Sequence, residues 1–341
     1  MVGTAAGKAV IVVGGGISGV ACARRLHDAG HRVVVLERSH RLGGRMAVRT
    51  EHLTSGSHPV DVGAPYFTVR ENDFGEVVES WRRRGLARPW TDTFILCSPD
   101  GRIGSTTSPD RWSSPYGQRI LVDDLARGLD VRLRVEVGAV TLGTDGVPHV
   151  GDAPPDLGDA AAVVLAMPDP QAARLLPAEL ATELGVAEQG WTPVLAAWGA
   201  WRERWWPAFD GAFVDGSPSL AWVSDDGRSR GDSAPVLVVH STADFAAAHL
   251  DDVEAAGRQM LAALPGVLGA GPMPEPEWTR VHRWSLASAR HPHAKPFALA
   301  ATGAGLAVGV CGDAWGPRSR VEQAWMSGNS LGAALVEHLA R

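Results

Sequence analysis

The first forty residues constrain this chain more than any other stretch. Ala9-Val-Ile-Val-Val13 is a short apolar run ending in Gly14-Gly-Gly16, and residues 17–29 then carry helix-compatible small and apolar residues up to Gly30, placed as a helix C-cap. Arg32-Val-Val-Val-Leu-Glu37 is a second β-branched run, so the segment reads as strand, helix, parallel strand. Gly14-x-Gly16-x-x-Gly19 falls where the first strand gives way to the helix, the place at which glycines let the backbone approach a pyrophosphate at a helix N-terminus. Glu37 ends the second strand, 18 positions past Gly19, where a carboxylate can accept hydrogen bonds from ribose hydroxyls. A dinucleotide is the expected ligand.

Composition narrows the partners. With 341 residues and 45% apolar content the chain can bury the core of a globular enzyme. A formal net charge of -6 gives no general attraction to phosphodiester backbones, and no basic run alternates with aromatics, so nucleic acid is not an expected partner. The lead from Val2 to Gly7 lacks the basic start and long apolar run of a secretory signal. No apolar stretch approaches the roughly 18 residues needed to cross a bilayer, so no membrane partner is expected. Cys22, Cys97 and Cys311 are far apart and outside any Cys-x-x-Cys spacing, which points away from disulfides and zinc and toward a reduced, cytoplasmic protein.

Further along, a helix is expected around Asn72–Arg84, strands within Asp130–Thr141, buried strands at Ala161–Ala166 and Val236–His240, and a strand at Leu306–Cys311. Gly312-Asp313 then makes a turn, and a helix runs from Val321 to Leu339. The tryptophans between residues 190 and 245 show no fixed period, so no repeat architecture is expected, and Trp205-Trp206 read as core or lobe interface.

Arg41-Leu-Gly43-Gly44-Arg45 offers two glycines for a tight turn and a guanidinium fork suited to phosphate oxygens. The βαβ unit, Glu37, Gly43-Gly44-Arg45 and the distal Gly312-Asp313 together resemble the FAD-binding segments of the amine-oxidase-like flavoprotein superfamily. Within it the chain most resembles renalase and its bacterial relatives, from about Val10 to Leu335. Asp61-Val-Gly63-Ala64-Pro-Tyr66-Phe67-Thr68 is similar to that family's segment near the flavin, and Ser219-Leu-Ala-Trp222-Val, Val238-Val-His240-Ser-Thr, Arg283-Trp284 and Ser319-Arg-Val-Glu322 follow in matching order. Three departures stand out: Pro65 in place of Gln, Ser285-Leu286-Ala287 in place of Arg-Tyr-Ala, and Gly227-Arg-Ser-Arg-Gly231 in place of Ser-Lys-Pro-Gly.

The resemblance implies an α/β (α+β overall) fold. A Rossmann-type FAD-binding domain over 1–65, 118–168 and 285–341 would be interleaved with a substrate domain, 66–117 and 169–284, on a mixed or antiparallel sheet with helices. It implies non-covalent FAD held by Gly14, Gly16, Ile17, Ser18 and Gly19 at the pyrophosphate, by Glu37 and Arg38 at the second strand's end, and by Gly43, Gly44 and Arg45. Gly63, Ala64, Val137 on the adenine side, Gly312, Asp313, and Val321-Glu322 at the start of the last helix complete the set.

Such an enzyme needs few acid–base groups, because the cofactor carries the difficult chemistry. Tyr66, Phe67, His240 and Trp284 are the expected pocket residues. The expected activity is hydride removal from a small molecule, a dihydronicotinamide isomer as in renalases, with oxygen as acceptor and peroxide as product. The alternatives are an amine oxidase or desaturase acting on a specialised metabolite, or a flavin-binding protein without turnover. No aromatic cage or carboxylate for an ammonium group stands out in the sequence. His291-Pro-His293 lacks a matched third ligand, so no metal is expected, and Arg82-Arg-Arg84 reads as a solvated helix face.

Overall fold

The computed structural model describes residues 7–53, 56–154, 156–157, 159–187, 190–303 and 305–341; the lead from Val2 to Ala6 lies outside them. Backbone contacts divide the chain into two compact units. Unit 1 comprises Met1–Gly44, Val122–Trp191 and Ser288–Arg341, and unit 2 comprises Arg45–Leu121 and Thr192–Ala287.

Unit 1 is built on a six-stranded sheet in the order Ala298–Gly303, Leu306–Cys311, Ala160–Ala166, Ala9–Val13, Val33–Glu37, Asp130–Leu133. Every pairing is parallel except that of the first two strands. The four central strands are short apolar runs buried along nearly their whole length, as a parallel sheet covered on both faces requires. One face carries the helix Ile17–Asp28 and the final helix Val321–Leu339. These two helices cross at backbone distance: a Cβ on Gly328 would lie 1.9 Å from the Ser18 carbonyl oxygen, and one on Gly332 3.0 Å from that of Cys22.

Unit 2 holds an eight-stranded sheet in the order Trp278–Ala289, Trp191–Ala200, Val236–Ser241, Leu220–Asp225, Gly211–Val214, Arg88–Ser98, Gly101–Ser113, Phe67–Thr68. It is mixed, since Gly211–Val214 pairs parallel to Arg88–Ser98 while the other registered pairs are antiparallel. One face packs Leu195, Ala197, Leu237 and Val239 against the helices Val253–Ala262 and Leu264–Leu268, with Trp205 and Trp206 in the same core. On the opposite face, Val60 and Val62 lie over Trp198, Val236 and Val238. A bulge between Leu220 and Trp222 turns these residues to opposite faces, Leu220 inward to the helices and Trp222 outward.

The boundaries differ from the sequence expectation by a few residues at 118–121 and 285–287, which fall in unit 2, and in two longer stretches. Residues 45–65 pack with unit 2, because the hairpin Val48–Leu53/Gly56–Asp61 buries its apolar side there. Residues 169–191 pack with unit 1, because Leu176, Leu180 and Leu184 enter the core beneath its sheet. Among the described residues no helix is long and apolar enough to cross a membrane.

Candidate functional site

In unit 1 the glycine-rich turn, the end of the second strand and the segment Leu42–Gly44 form one backbone cradle. Gly14 has φ +115, and a Cβ there would lie 2.4 Å from the Ala166 carbonyl oxygen. A Cβ on Gly19 would meet the Gly14 carbonyl oxygen at 2.1 Å, so the helix can begin this close to the strand only without a side chain. The Gly43 N–H donates to the Gly15 carbonyl at 2.9 Å, and Gly43 bridges Gly16. The buried Glu37 carboxylate accepts from Gly15 N at 2.7 Å and from Ser39 N at 2.8 Å, which fixes its rotamer while leaving lone pairs for further donors. Arg38 is exposed beside it.

The cradle suits a pyrophosphate. Gly16 caps the helix with no side-chain acceptor, so the amides of Ile17, Ser18 and Gly19 are the uncapped first turn of a 12-residue helix. A Cβ on Gly16 would meet nothing within 4 Å, so this one glycine borders open space where Gly14 and Gly19 border backbone and Gly15 borders the Leu42 and Glu37 side chains. Val137 is buried in the core cluster with Val13 and Leu36. At the far end of the chain, Gly312 N donates to the Ser327 hydroxyl at 3.0 Å, and Asp313 accepts from the Ser319 hydroxyl. The final helix starts after Arg320 without a side-chain cap, with Val321 and Glu322 buried in its first turn.

His293, in the His-Pro-His loop, has structural partners. Its Nε2 lies 2.6 Å from an Asp169 carboxylate oxygen, and its ring stacks on Trp315 at 3.7 Å. Among the described residues no three His, Cys, Asp or Glu side chains gather as a metal set.

In unit 2, Arg45–Ala47 and Val62–Ala64 are zipped together. Ala64 N donates to Arg45 O at 2.9 Å, Val62 N donates to Ala47 O at 3.2 Å, and a Cβ on Gly63 would fall 2.0 Å from Arg45 O. The Arg45 guanidinium donates to Ala287 O at 3.1 Å. The Trp284 indole donates to Val62 O at 2.8 Å, so its N–H holds this segment and only its ring remains for a ligand.

The outward sheet face carries an aromatic cluster of which the sequence marked Tyr66 and Trp222 but not Trp90, Phe94 or Phe213. Tyr66 lies 5.6 Å from Trp222, 5.1 Å from Phe94 and 6.5 Å from Trp90, and Phe213 lies 5.1 Å from Trp222. The Arg111 guanidinium sits 3.8 Å over the Phe94 ring and bonds Tyr66. His240 is the direct cross-strand partner of Trp222. Burial alone pulls its pKa down to about 4, so its imidazole is neutral at physiological pH. Phe67, expected in the pocket, instead belongs to the core: it is 2% exposed and enclosed by Phe74, Trp81 and Trp112. Tyr66 immediately precedes the strand Phe67–Thr68, and the two rings pack on different partners, Tyr66 on Phe94 and Trp222, Phe67 on Phe74 and Trp81.

A second feature missed in the sequence is a buried ion network. His58 Nε2 lies 2.8 Å from Asp226 and its Nδ1 3.0 Å from Asp232. Arg230 pairs with Asp226 at 3.0 Å and Asp61 at 2.7 Å, and Asp61 also accepts from Gln118 N at 2.8 Å. Burial opposes charge on His58, but hydrogen bonds to the two aspartates overcome it and raise its pKa to about 9. Burial raises Asp61 to about 6 against the pull of Arg230. The one readable signal was Asp226 four positions before Arg230, a helical ion-pair spacing.

A parallel sheet with an uncapped glycine-rich helix start and an acidic strand end defines a dinucleotide-binding protein. Residues 12–83 match the NAD(P)-binding Rossmann-like domain, and residues 94–331, more than half of the chain, match the flavin containing amine oxidoreductase family. The chain belongs to that family; it is a flavin-dependent oxidoreductase, and its cofactor is FAD. It is 48% identical over 93 residues to Polyamine oxidase 5 of Oryza sativa subsp. japonica, covering 27% of this chain and 18% of that protein. It is 44% identical over 71 residues to Polyamine oxidase 2 of Arabidopsis thaliana, covering 20% and 14%. The match thus spans less than a fifth of the length of these curated relatives. Among solved structures, an Exiguobacterium sp. 255-15 protein assigned as a protoporphyrinogen oxidase superposes with TM-score 0.73 at 14% identity, covering 97% of this chain and 99% of that one. Cyclohexylamine oxidase from Brevibacterium oxydans IH-35A gives 0.70 at 14%, covering 98% and 100%. At such identity these likenesses establish the fold.

Proposed function

We propose that unit 1 holds FAD non-covalently and that the aromatic face of unit 2 receives a small dihydronicotinamide, an isomer of NAD(P)H as in renalases, whose oxidation ends with oxygen reduced to peroxide. The observation that carries this reading is the outward face itself: Tyr66, Trp90, Phe94, Phe213 and Trp222 cluster on it, and a neutral His240 is the cross-strand partner of Trp222. Glu51, a carboxylate that reaches this face, is engaged by the Trp198 indole at 3.1 Å. Such a surface suits a flat, uncharged ring.

Bound FAD supplies the hydride acceptor. The amides of Ile17, Ser18 and Gly19 and the positive end of their helix bind and orient a pyrophosphate, and Glu37 accepts ribose hydroxyls. A dihydropyridine that loses hydride becomes an aromatic pyridinium without losing a proton, so the face needs no base. Its residues hold the ring in place and exclude water. Tyr66, fixed through Arg111 and packed on Trp222, is a rigid wall for this purpose.

A second reading, amine oxidation, draws support from the same aromatic cluster and from the family. Anaerobic stopped-flow mixing separates the two. Dihydronicotinamide isomers are expected to bleach the flavin rapidly and primary and secondary amines slowly; bleaching by amines alone establishes the second reading. Denaturation is expected to release all the flavin into solution, and flavin that precipitates with the chain refutes non-covalent binding.

A further inference from the structure

We infer that Trp222 and His240 together recognise a primary carboxamide on the substrate, the indole N–H donating to the amide oxygen and the imidazole Nε2 accepting from the amide NH2. This deepens the dihydronicotinamide reading and rests on it. The two residues are registered partners on adjacent antiparallel strands and share one sheet face, which sets their Cβ atoms about 5 Å apart. Both polar atoms are buried, and neither has a hydrogen-bond partner among the described residues.

Such atoms are costly. An unmade buried hydrogen bond forfeits about 1–3 kcal/mol. Trp90 and Trp205 share this state, but neither has a buried, unpartnered acceptor as its cross-strand partner in the way Trp222 has His240. Several other tryptophans of this unit avoid the loss. The indoles of Trp198, Trp206 and Trp284 donate to Glu51, Asp225 and Val62 O. Trp222 is 5% exposed, yet its ring cannot turn to find an acceptor. It lies across Gly211, where a Cβ would stand 2.4 Å from its Cη2, and Phe94 braces it at a centroid distance of 4.7 Å.

The chemistry of the pair selects one group. An indole N–H only donates, and a neutral imidazole protonated on Nδ1 accepts at Nε2. A donor beside an acceptor complements a carboxamide. A carboxylate would face the imidazole lone pair, while the guanidinium of the cluster, Arg111, is already engaged by Tyr66 and the Asp92 carbonyl. An ammonium group would leave the indole N–H unmatched. His240 stays neutral throughout the neutral range, because burial holds its pKa near 4, and we assign it the Nδ1–H tautomer, which leaves Nε2 as the acceptor.

The test uses the oxidised holoenzyme and three pyridines that differ only at one substituent: nicotinamide, nicotinate and 3-(aminomethyl)pyridine. Binding is followed by calorimetry and by the flavin spectrum. Nicotinamide is expected to bind at least about 10-fold tighter than the others, because each rival leaves a polar group unpaired. Trp222→Phe and His240→Phe are each expected to erase that preference. In anaerobic reduction, a dihydropyridine carrying acetyl instead of carboxamide is expected to react about 10–100-fold more slowly with wild type and equally fast with His240→Phe. Tightest binding by the aminomethyl compound, or unchanged nicotinamide affinity in both variants, overturns the inference. Rapid reduction by dihydronicotinamides without these preferences overturns the pair's role and leaves the substrate reading intact. Selective nicotinamide binding without reduction does the reverse. Where a variant fails to fold, the order of the three ligands on wild type decides.

Discussion

Two places in the molecule bring distant backbone segments into contact, and they do so by opposite means. In unit 1, strand, helix and the Leu42–Gly44 turn meet because side chains are missing at Gly14, Gly15 and Gly19. In unit 2, the segment Val60–Tyr66 is fixed because buried charges are present: Asp61 and Asp226 on Arg230, and His58 between two aspartates. The first device is cheap, since a glycine contact carries no desolvation penalty. The second depends on complete pairing, because each buried charge is tolerable only while its partner remains. The consequence is a difference in fragility, in which unit 1 fails by crowding and unit 2 by loss of a partner.

The largest expected effect therefore lies in unit 2. Arg230→Met leaves Asp61 and Asp226 buried beside a thioether and is expected to cost about 3–5 kcal/mol in denaturant unfolding. Combining it with Asp61→Asn and Asp226→Asn is expected to recover much of that loss, because the stranded charges go with the cation. A small loss in the single variant, with no recovery in the triple, would mean that apolar packing of Val60 and Val62 holds this segment by itself.

Crowding unit 1 comes next. Gly19→Ala puts a Cβ 2.1 Å from the Gly14 carbonyl oxygen, where only backbone can give way, and is expected to cost about 3 kcal/mol and most of the FAD retention. Gly30→Ala, whose Cβ would meet nothing within 4 Å, pays only for its φ of +86 and is expected to retain FAD normally. Equal flavin loss in both would reduce the Gly19 contact to a backbone-dihedral effect.

The same contrast explains what could be read from the sequence. Glycine contacts leave a local mark: Gly14, Gly16 and Gly19 lie within one turn between two apolar runs, so the sheet, the helix Ile17–Asp28 and the final helix Val321–Leu339 were all legible. The ion network leaves almost none, because His58, Gln118 and Arg230 are far apart in the chain and meet only through tertiary packing. The aromatic face was half legible. Tyr66, Trp284 and His240 were marked by ordered segments, but Trp90, Phe94 and Phe213 acquire meaning only from strand register. Phe67 follows Tyr66 in the same motif, but its pairing opposite Trp112 turns it into the core with Phe74 and Trp81.

The pH response of unit 2 sharpens the comparison. His58 has its pKa raised to about 9 in the folded chain from a reference of 6.5, so the stability it contributes is fully present below pH 6.5 and lost as pH rises through 9. Asp61 and Asp225, both raised to about 6, act in a separate window: their contribution is present below about pH 4 and lost as pH rises to 6. Unfolding free energy is thus expected to fall by about 2–3 kcal/mol between pH 6.5 and 9. His58→Gln is expected to flatten that slope; a variant as steep as wild type would place the titration elsewhere.

The smallest expected effect tests whether the acidic strand end of unit 1 serves the ligand or only the loop. Glu37 already accepts hydrogen bonds from Gly15 and Ser39 amides, so its removal disturbs the cradle even with no ligand bound. Losing a charged hydrogen bond to ribose adds about 1.5–3 kcal/mol, or one to two powers of ten in FAD affinity. Glu37→Gln separates the two contributions. Its carbonyl oxygen can keep one amide partner, but its NH2 cannot accept from the second amide or from a ribose hydroxyl. If Glu37 binds ribose, FAD affinity in Glu37→Gln is expected to fall well beyond any change in apoprotein stability. Glu79→Ala, which removes an exposed partner of Arg82, is expected to leave both unchanged. Parallel losses of affinity and apoprotein stability in Glu37→Gln would instead show that the carboxylate serves only to hold the glycine turn, leaving the uncapped helix start as the cradle's sole contribution to FAD binding.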